Sequence, residues 1–167
     1  MALKPDRLEQ YTDIRFFMNE TGERGLIVIH DTSVSGLGGL DDAGSVVKKP
    51  TDSGGKPVGM LMNDVVNVDL SRYRLNEQKD EVQVNSKVCV MKRGHAKTNM
   101  LVAGQNPVAG SGAYFSTNGL LTMFTDSLVN PTLSGYNVRS LIENAKVGTF
   151  ISSKDEDGYV VVEINLP

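Results

Sequence analysis

Tryptophan is missing from this 167-residue chain, histidine occurs twice, and there is a single cysteine. With one thiol, Cys89, no intrachain disulfide can form and no structural zinc site can rest on thiolates. Folding in a reducing cytosol fits that usage. Aromatic residues make up only 6% of the chain, so its core must be built from Val, Leu, Ile and Met. No window approaches the roughly 18 consecutive apolar residues of a membrane span. The opening MALKPDRLEQYTDIRFF holds no apolar run of signal-peptide length. The expectation is a protein made in the cytoplasm, with no membrane as partner. Excess positive charge is lacking too: the net charge is −3 and the pI about 5.4. A general nucleic-acid binder carries a basic surface, so nucleic acid is not an expected partner.

Reactive constellations are also missing. SGLGG follows the apolar run GLIVIH, but after Gly36 and Gly38 the third position of G-x-G-x-x-G is Asp41, and no amphipathic helix follows. A phosphate-cradling G-x-x-x-x-G-K-[ST] does not occur. Asp155-Glu156-Asp157-Gly158 resembles part of a calcium loop without the spaced ligands or the terminal Glu; it reads as an exposed turn in which Gly158 supplies positive φ. His30 and His95 lie in distant segments without H-x-x-x-H or G-x-S-x-G around them. Cys89 sits inside KVCVM and reads as a small buried hydrophobe. A nucleophile, a base and a charge-stabilising group are not brought together by any local motif. The expectation is therefore no enzyme, no catalytic residue, no cofactor and no metal.

What is present reads as strands and turns. The 17 glycines and 40% hydrophobic residues suit one all-β domain. Residues 1–24 are rich in charge and read as an N-terminal arm, with Pro5 opening a short helical turn that carries Leu8 and Tyr11 on one side. Within the arm, Ile14, Phe16, Phe17 and Met18 form an apolar cluster that docks either on the domain or on a partner. Residues 25–167 read as a single β-rich domain. GLIVIH is a buried strand; residues 31–57 are a long Gly/Ser-rich loop in which only Val46 and Val47 suggest a short strand; residues 58–62 form another strand.

Further along, residues 87–93 and 96–102 flank Gly94-His95, a glycine-first pair that predicts a type II′ hairpin turn. The basic residues Lys92, Arg93 and Lys97 straddle it and could meet an acidic patch on a partner. Thr117-Asn118-Gly119 predicts a second turn, between residues 113–116 and 120–124. Val138, Leu141, Ile142 and Ala145 recur at helical spacing, predicting one short helix over 137–145. Residues 147–152 and 159–166 flank KDEDG, and Val160, Val162, Ile164 and Leu166 alternate with Glu163 and Asn165 as in a half-buried strand. Asn19-Glu20-Thr21 fits a glycosylation acceptor, which carries no weight without a secretory signal.

Four segments together carry a resemblance: GKPVGMLMNDVVNVD, KDEVQVNSKVCVMKRGHAKTNML, SGAYFSTNGLLT and VGTFISSKDEDGYVVVEINLP. In type and order they resemble the head-decoration, or capsid cement, proteins of tailed bacteriophages, over residues 57–166. The resemblance implies a small β-barrel or β-tulip-like domain with an extended arm. It implies a structural virion protein on the capsid exterior that binds the major capsid protein and stands as a homotrimer at threefold positions. Ile14, Phe16, Phe17, Met18, Lys92, Arg93 and Lys97 are the capsid-contact candidates. Two rival expectations remain open: another virion part, such as a tail-tube or baseplate adaptor, and a small-ligand-binding β domain that uses residues 32–57 as a lid.

Overall fold

A computed structural model describes residues 3–4, 8–33, 46–51, 55–64, 81–82, 84–123 and 146–167. The regular structure of these residues is strand, apart from one 3₁₀ turn at Thr117–Gly119. In chain order the strands are β1 (Leu8–Met18), β2 (Gly22–Glu23), β3 (Ile27–His30), β4 (Val46–Lys48), β5 (Pro57–Asp64), β6 (Glu81–Val82), β7 (Lys87–Thr98), β8 (Gly112–Phe115), β9 (Leu121–Met123), β10 (Lys146–Phe150) and β11 (Val160–Asn165). The fold is all-β and barrel-like, as expected. The helix expected over 137–145 lies outside the described residues.

β7 organises the molecule. The nine-stranded sheet runs β1-β4-β3-β5-β7-β11-β10-β8-β9, and β1 pairs again with β7. That extra pairing closes β1, β4, β3, β5 and β7 into a ring. One edge of β7 meets β1 from Lys87 to His95. Its other edge meets β5 over Val88–Met91 and then β11 over Arg93–Thr98. The same strand thus leaves the closed ring and enters an open sheet with β11, β10, β8 and β9.

Two apolar clusters fill the two halves. One draws on every ring strand: Phe16 and Met18, Val47, Val28, Val58 and Leu61, Val88 and Val90, with Val82 from β6. The other joins Ile27, Ile29, Met60, Met62 and Met91 to Phe115, Leu121, Phe150, Val162 and Ile164. β3 and β5 therefore bury both faces, which is why GLIVIH is continuously apolar instead of alternating. β11 buries one face: Val160, Val162, Ile164 and Leu166 are at most 5% exposed, whereas Glu163 and Asn165 are exposed. The predicted alternation holds there.

Local turn chemistry accounts for the two C-terminal hairpins. β8 and β9 pair around the Thr117–Gly119 turn. β10 and β11 pair around KDEDG, with Gly158 at φ 86°.

The structure departs from the sequence reading in two places. Gly94-His95 is not a hairpin turn. It lies inside the continuous 12-residue β7, with Glu9 of β1 opposite Gly94 on one edge and Ile164 of β11 on the other. Gly94 adopts φ 144°, and a Cβ there would stand 2.1 Å from the Leu8 carbonyl oxygen. Here glycine permits close strand approach, not chain reversal. The second departure concerns residues 8–18. They are a ring strand, and Phe16 and Met18 are 4% and 0% exposed. Each side chain so buried contributes about 1.5–3 kcal/mol. This part of the expected arm belongs to the core.

Candidate interaction surface

β1 does not keep a simple two-residue alternation. Its register against β7 shifts between Glu9 and Tyr11, between Tyr11 and Thr12, and between Asp13 and Phe16. Each shift acts like a β-bulge, turning the strand and re-aiming a side chain. The result is an exposed row at a spacing of three: Leu8, Tyr11 and Ile14 are 54%, 50% and 50% exposed. Asp13, Phe16 and Met18 turn inward. Across the ladder, Tyr11 stands opposite Arg93 and Leu8 opposite His95. Glu9, Gln10 and Arg15 of β1 are exposed as well, so the row carries apolar side chains interleaved with polar ones.

Polar side chains fix β1 from within. The Arg15 guanidinium donates to both carboxylate oxygens of Asp13, with Nη2 to Oδ2 at 2.7 Å and Nε to Oδ1 at 3.0 Å. The Arg15 backbone N–H adds a bond of 3.0 Å to Oδ1. These contacts, chiefly the Arg15 side chain, hold the Asp13 carboxyl below its usual range against the opposing effect of burial. Lys92 Nζ lies 3.7 Å from Asp13 Oδ2 and 5.9 and 5.8 Å from the ring centres of Tyr11 and Phe16. Its charge faces an anion and two π-faces.

At the ring's other rim, the Asp31 side chain is 1% exposed. Burial pushes its carboxyl up. Bonds from the Ser33 hydroxyl and N–H, from Lys48 and from Asn19 outweigh that and hold it well below the ordinary carboxylate range. The distances are 2.6 Å from Ser33 Oγ, 2.9 Å from Ser33 N, 3.2 Å from Lys48 Nζ and 2.7 Å from Asn19 Nδ2. This carboxylate ties the ends of β1, β3 and β4 together.

The contact candidates named from sequence separate accordingly. Ile14 and Arg93 are exposed, and Phe17 and Lys92 are partly buried. Phe16 and Met18 are core residues and present no surface. Lys97 is turned to the hairpin tip, where its Nζ lies 2.8 Å from Asp155 Oδ2. Lys97, with the Tyr159 N–H, holds the Asp155 carboxyl below its usual value. Asp157 pairs with Lys4 at 3.2 Å. The sequence reading missed Leu8 and Tyr11 as strand residues of this surface. The spacing Leu8, Tyr11, Ile14 was their signal, but it mimics a helix face unless bulges are allowed for.

The residues with potential chemistry are dispersed. The His30 ring packs edge-on against Phe16 at 5.7 Å. His95 Nε2 is 4.0 Å from Glu163 Oε1. Cys89 is half-buried and packs against the larger core cluster. Among the described residues, no group of three or more His, Cys, Asp or Glu converges on a common point, and no helix is long and apolar enough to cross a membrane. A shallow depression of about 330 Å³ lies on β10 and β11, lined by Lys146, Val147, Gly148, Thr149, Glu163 and Asn165. Most of the 32–57 segment expected as a lid lies outside the described residues.

No family model matches the chain, and no curated protein matches it. Among solved structures, the chain is similar to the head fiber gp8.5 N base of bacteriophage phi29, at 9% identity and a TM-score of 0.47, over 95% of this chain and 94% of that one.

Proposed function

We propose that this chain is a structural virion protein that binds the outside of the mature phage capsid and cements neighbouring major capsid subunits. The observation that carries the reading is the exposed row Leu8, Tyr11 and Ile14 on a strand locked into a closed ring. Large apolar side chains held half-exposed along one strand are the part of such a surface that a protein partner would bury. The resemblance of residues 57–166 to decoration proteins supplies the class of partner. A closed ring suits the task, because it holds the row in a fixed geometry and hydrogen-bonds its own strand edges.

The mechanism is thermodynamic. A protein that binds the expanded shell and not its precursor stabilises that shell by its binding free energy. Copies arranged as trimers at threefold positions clamp adjacent subunits against the pressure of packaged DNA. The apolar row supplies the anchor, and Arg93 supplies a cation at its border. In this reading the chain turns over no substrate and needs no cofactor. That reading is supported by the structural employment of Asp13, Asp31 and Asp155 and by the separate settings of His30, His95 and Cys89.

The test mixes purified protein with empty expanded heads and with unexpanded heads, then measures what sediments with each. Selective, saturable binding to expanded heads is expected. Equal binding to both, or to neither, would reject the reading. Binding to isolated tail tubes in place of heads would favour a tail adaptor.

A further inference from the structure

We propose that Asn118 is a latent succinimide-forming site, kept silent by the closed β8–β9 turn, so that its conversion to isoaspartate records opening of that turn. Asn118-Gly119 is the only Asn-Gly pair in the sequence. Glycine after asparagine leaves the following backbone nitrogen unhindered. That nitrogen, once deprotonated, attacks the Asn118 side-chain carbonyl carbon. A new C–N bond closes a five-membered imide, the bond to the side-chain nitrogen breaks, and ammonia leaves. Water then opens the imide at either carbonyl, giving aspartate or isoaspartate. Water is the only co-reactant.

Asn118 is exposed, so solvent reaches its side chain. What blocks the reaction is backbone geometry. Asn118 sits at φ 63° and ψ 12°. Ring closure requires the Gly119 nitrogen to rotate about the Cα–C bond to the side of the Asn118 Cβ, and at this ψ it is turned away. Three contacts prevent that rotation. The Gly119 N–H donates to the Ser116 carbonyl at 3.0 Å, and the Asn118 N–H donates to the Pro50 carbonyl at 2.8 Å. Gly119 is also pressed against β3, where a Cβ would lie 2.2 Å from the Ile27 carbonyl oxygen. The turn is thus pinned from β8, from the segment after β4 and from β3.

Opening the turn releases all three contacts together and frees ψ. Local openings of this kind cost less than global unfolding. The product then works against closure. Isoaspartate inserts an extra carbon into the backbone between positions 118 and 119, which displaces Gly119 from its seat on Ile27. A copy that has opened for long enough is chemically marked and cannot restore the native turn.

The experiment incubates the full chain at mildly alkaline pH, folded in buffer and unfolded in urea. Conversion at position 118 is followed by peptide-mapping mass spectrometry with isoaspartate-specific detection. Conversion in the folded protein is expected to be slower by at least about tenfold, the factor matching an opening cost of about 1.4 kcal/mol. Equal rates in the two states would overturn the proposal. Asn118→Gly keeps the left-handed turn accessible and should abolish the signal. An unchanged signal in that variant would overturn the assignment to Asn118.

Discussion

At the scale of single residues, the buried carboxylates separate from the exposed cations around them. Asp31 accepts from Asn19, Ser33 and Lys48 while its own side chain is shut away from water. Replacing it with alanine strands those donors, and the expected cost is about 2–4 kcal/mol in urea unfolding. Arg15 is 70% exposed but its partner Asp13 only 5%, so Arg15→Ala leaves a buried carboxylate with the backbone N–H and Lys92 alone and should cost about 1–3 kcal/mol. Acid should expose the difference. The folded Asp31 carboxyl titrates below its unfolded value of about 3.9, so its contribution is fully present above that pH and is lost as the pH falls below it. The stability gap between wild type and Asp31→Ala should therefore narrow between about pH 4 and pH 2, read from urea midpoints across a pH series. A gap that widened in acid would contradict the assignment. Only part of this network is legible in the sequence. Asp31-Thr32-Ser33 is a local turn pattern, in which a side chain accepts from the backbone two residues on. Asn19 and Lys48 come from strands whose neighbours are set by tertiary pairing.

At the scale of elements, what could be read was what local chemistry decides. Thr117-Asn118-Gly119 and KDEDG demand left-handed backbone within a few residues, and both form the expected hairpin connections. Gly94-His95 carries an equally good local signature and is not a turn, because pairing with β1 and β11 on both edges outweighs it. The bulged β1 was missed for a related reason: its inward and outward residues follow neither a period of two nor one of 3.6. Gly94 supplies the test. Gly94→Ala meets both an unfavourable φ and the Leu8 carbonyl at 2.1 Å, so it should destabilise by about 3–5 kcal/mol, combining backbone strain and overpacking. Gly104 has φ 82° but open space around its missing Cβ. Gly104→Ala should therefore cost only about 1–2 kcal/mol, the left-handed penalty alone. Equal denaturation midpoints for the two variants would mean that β7 tolerates a side chain between β1 and β11, against the close approach described here.

At the scale of the whole molecule, closure of the ring depends on residues 8–17 meeting residues 87–95. No local pattern encodes a pairing so distant in sequence, and the barrel expectation came from the decoration-protein resemblance. Closure also changes the role of the N-terminal segment. In an arm, Phe16 and Met18 would be as available to a partner as Leu8 and Tyr11. In a ring strand, the first two hold the fold and the second two face outward. That division makes stability and capsid binding separable by substitution. The combined variant Leu8→Ser, Tyr11→Ser and Ile14→Ser removes half-exposed side chains, with the Tyr11–Lys92 contact, so each change should cost about 0.5–1.5 kcal/mol and leave the domain folded. Capsid binding should fall by at least about tenfold, since anchors buried at the centre of an interface carry most of its energy. Phe16→Ser should do the reverse at the level of cause, losing binding only because the domain unfolds. A second surface variant controls for a general loss of stickiness: Val108→Ser with Ile151→Ser alters apolar residues that are 59% and 42% exposed but lie off β1. It should bind expanded heads like wild type. Melting curves and head occupancy measured on the same preparations decide the matter. If the β1 variant keeps wild-type occupancy, or if the Val108 and Ile151 variant loses as much, the row on β1 is not the capsid anchor.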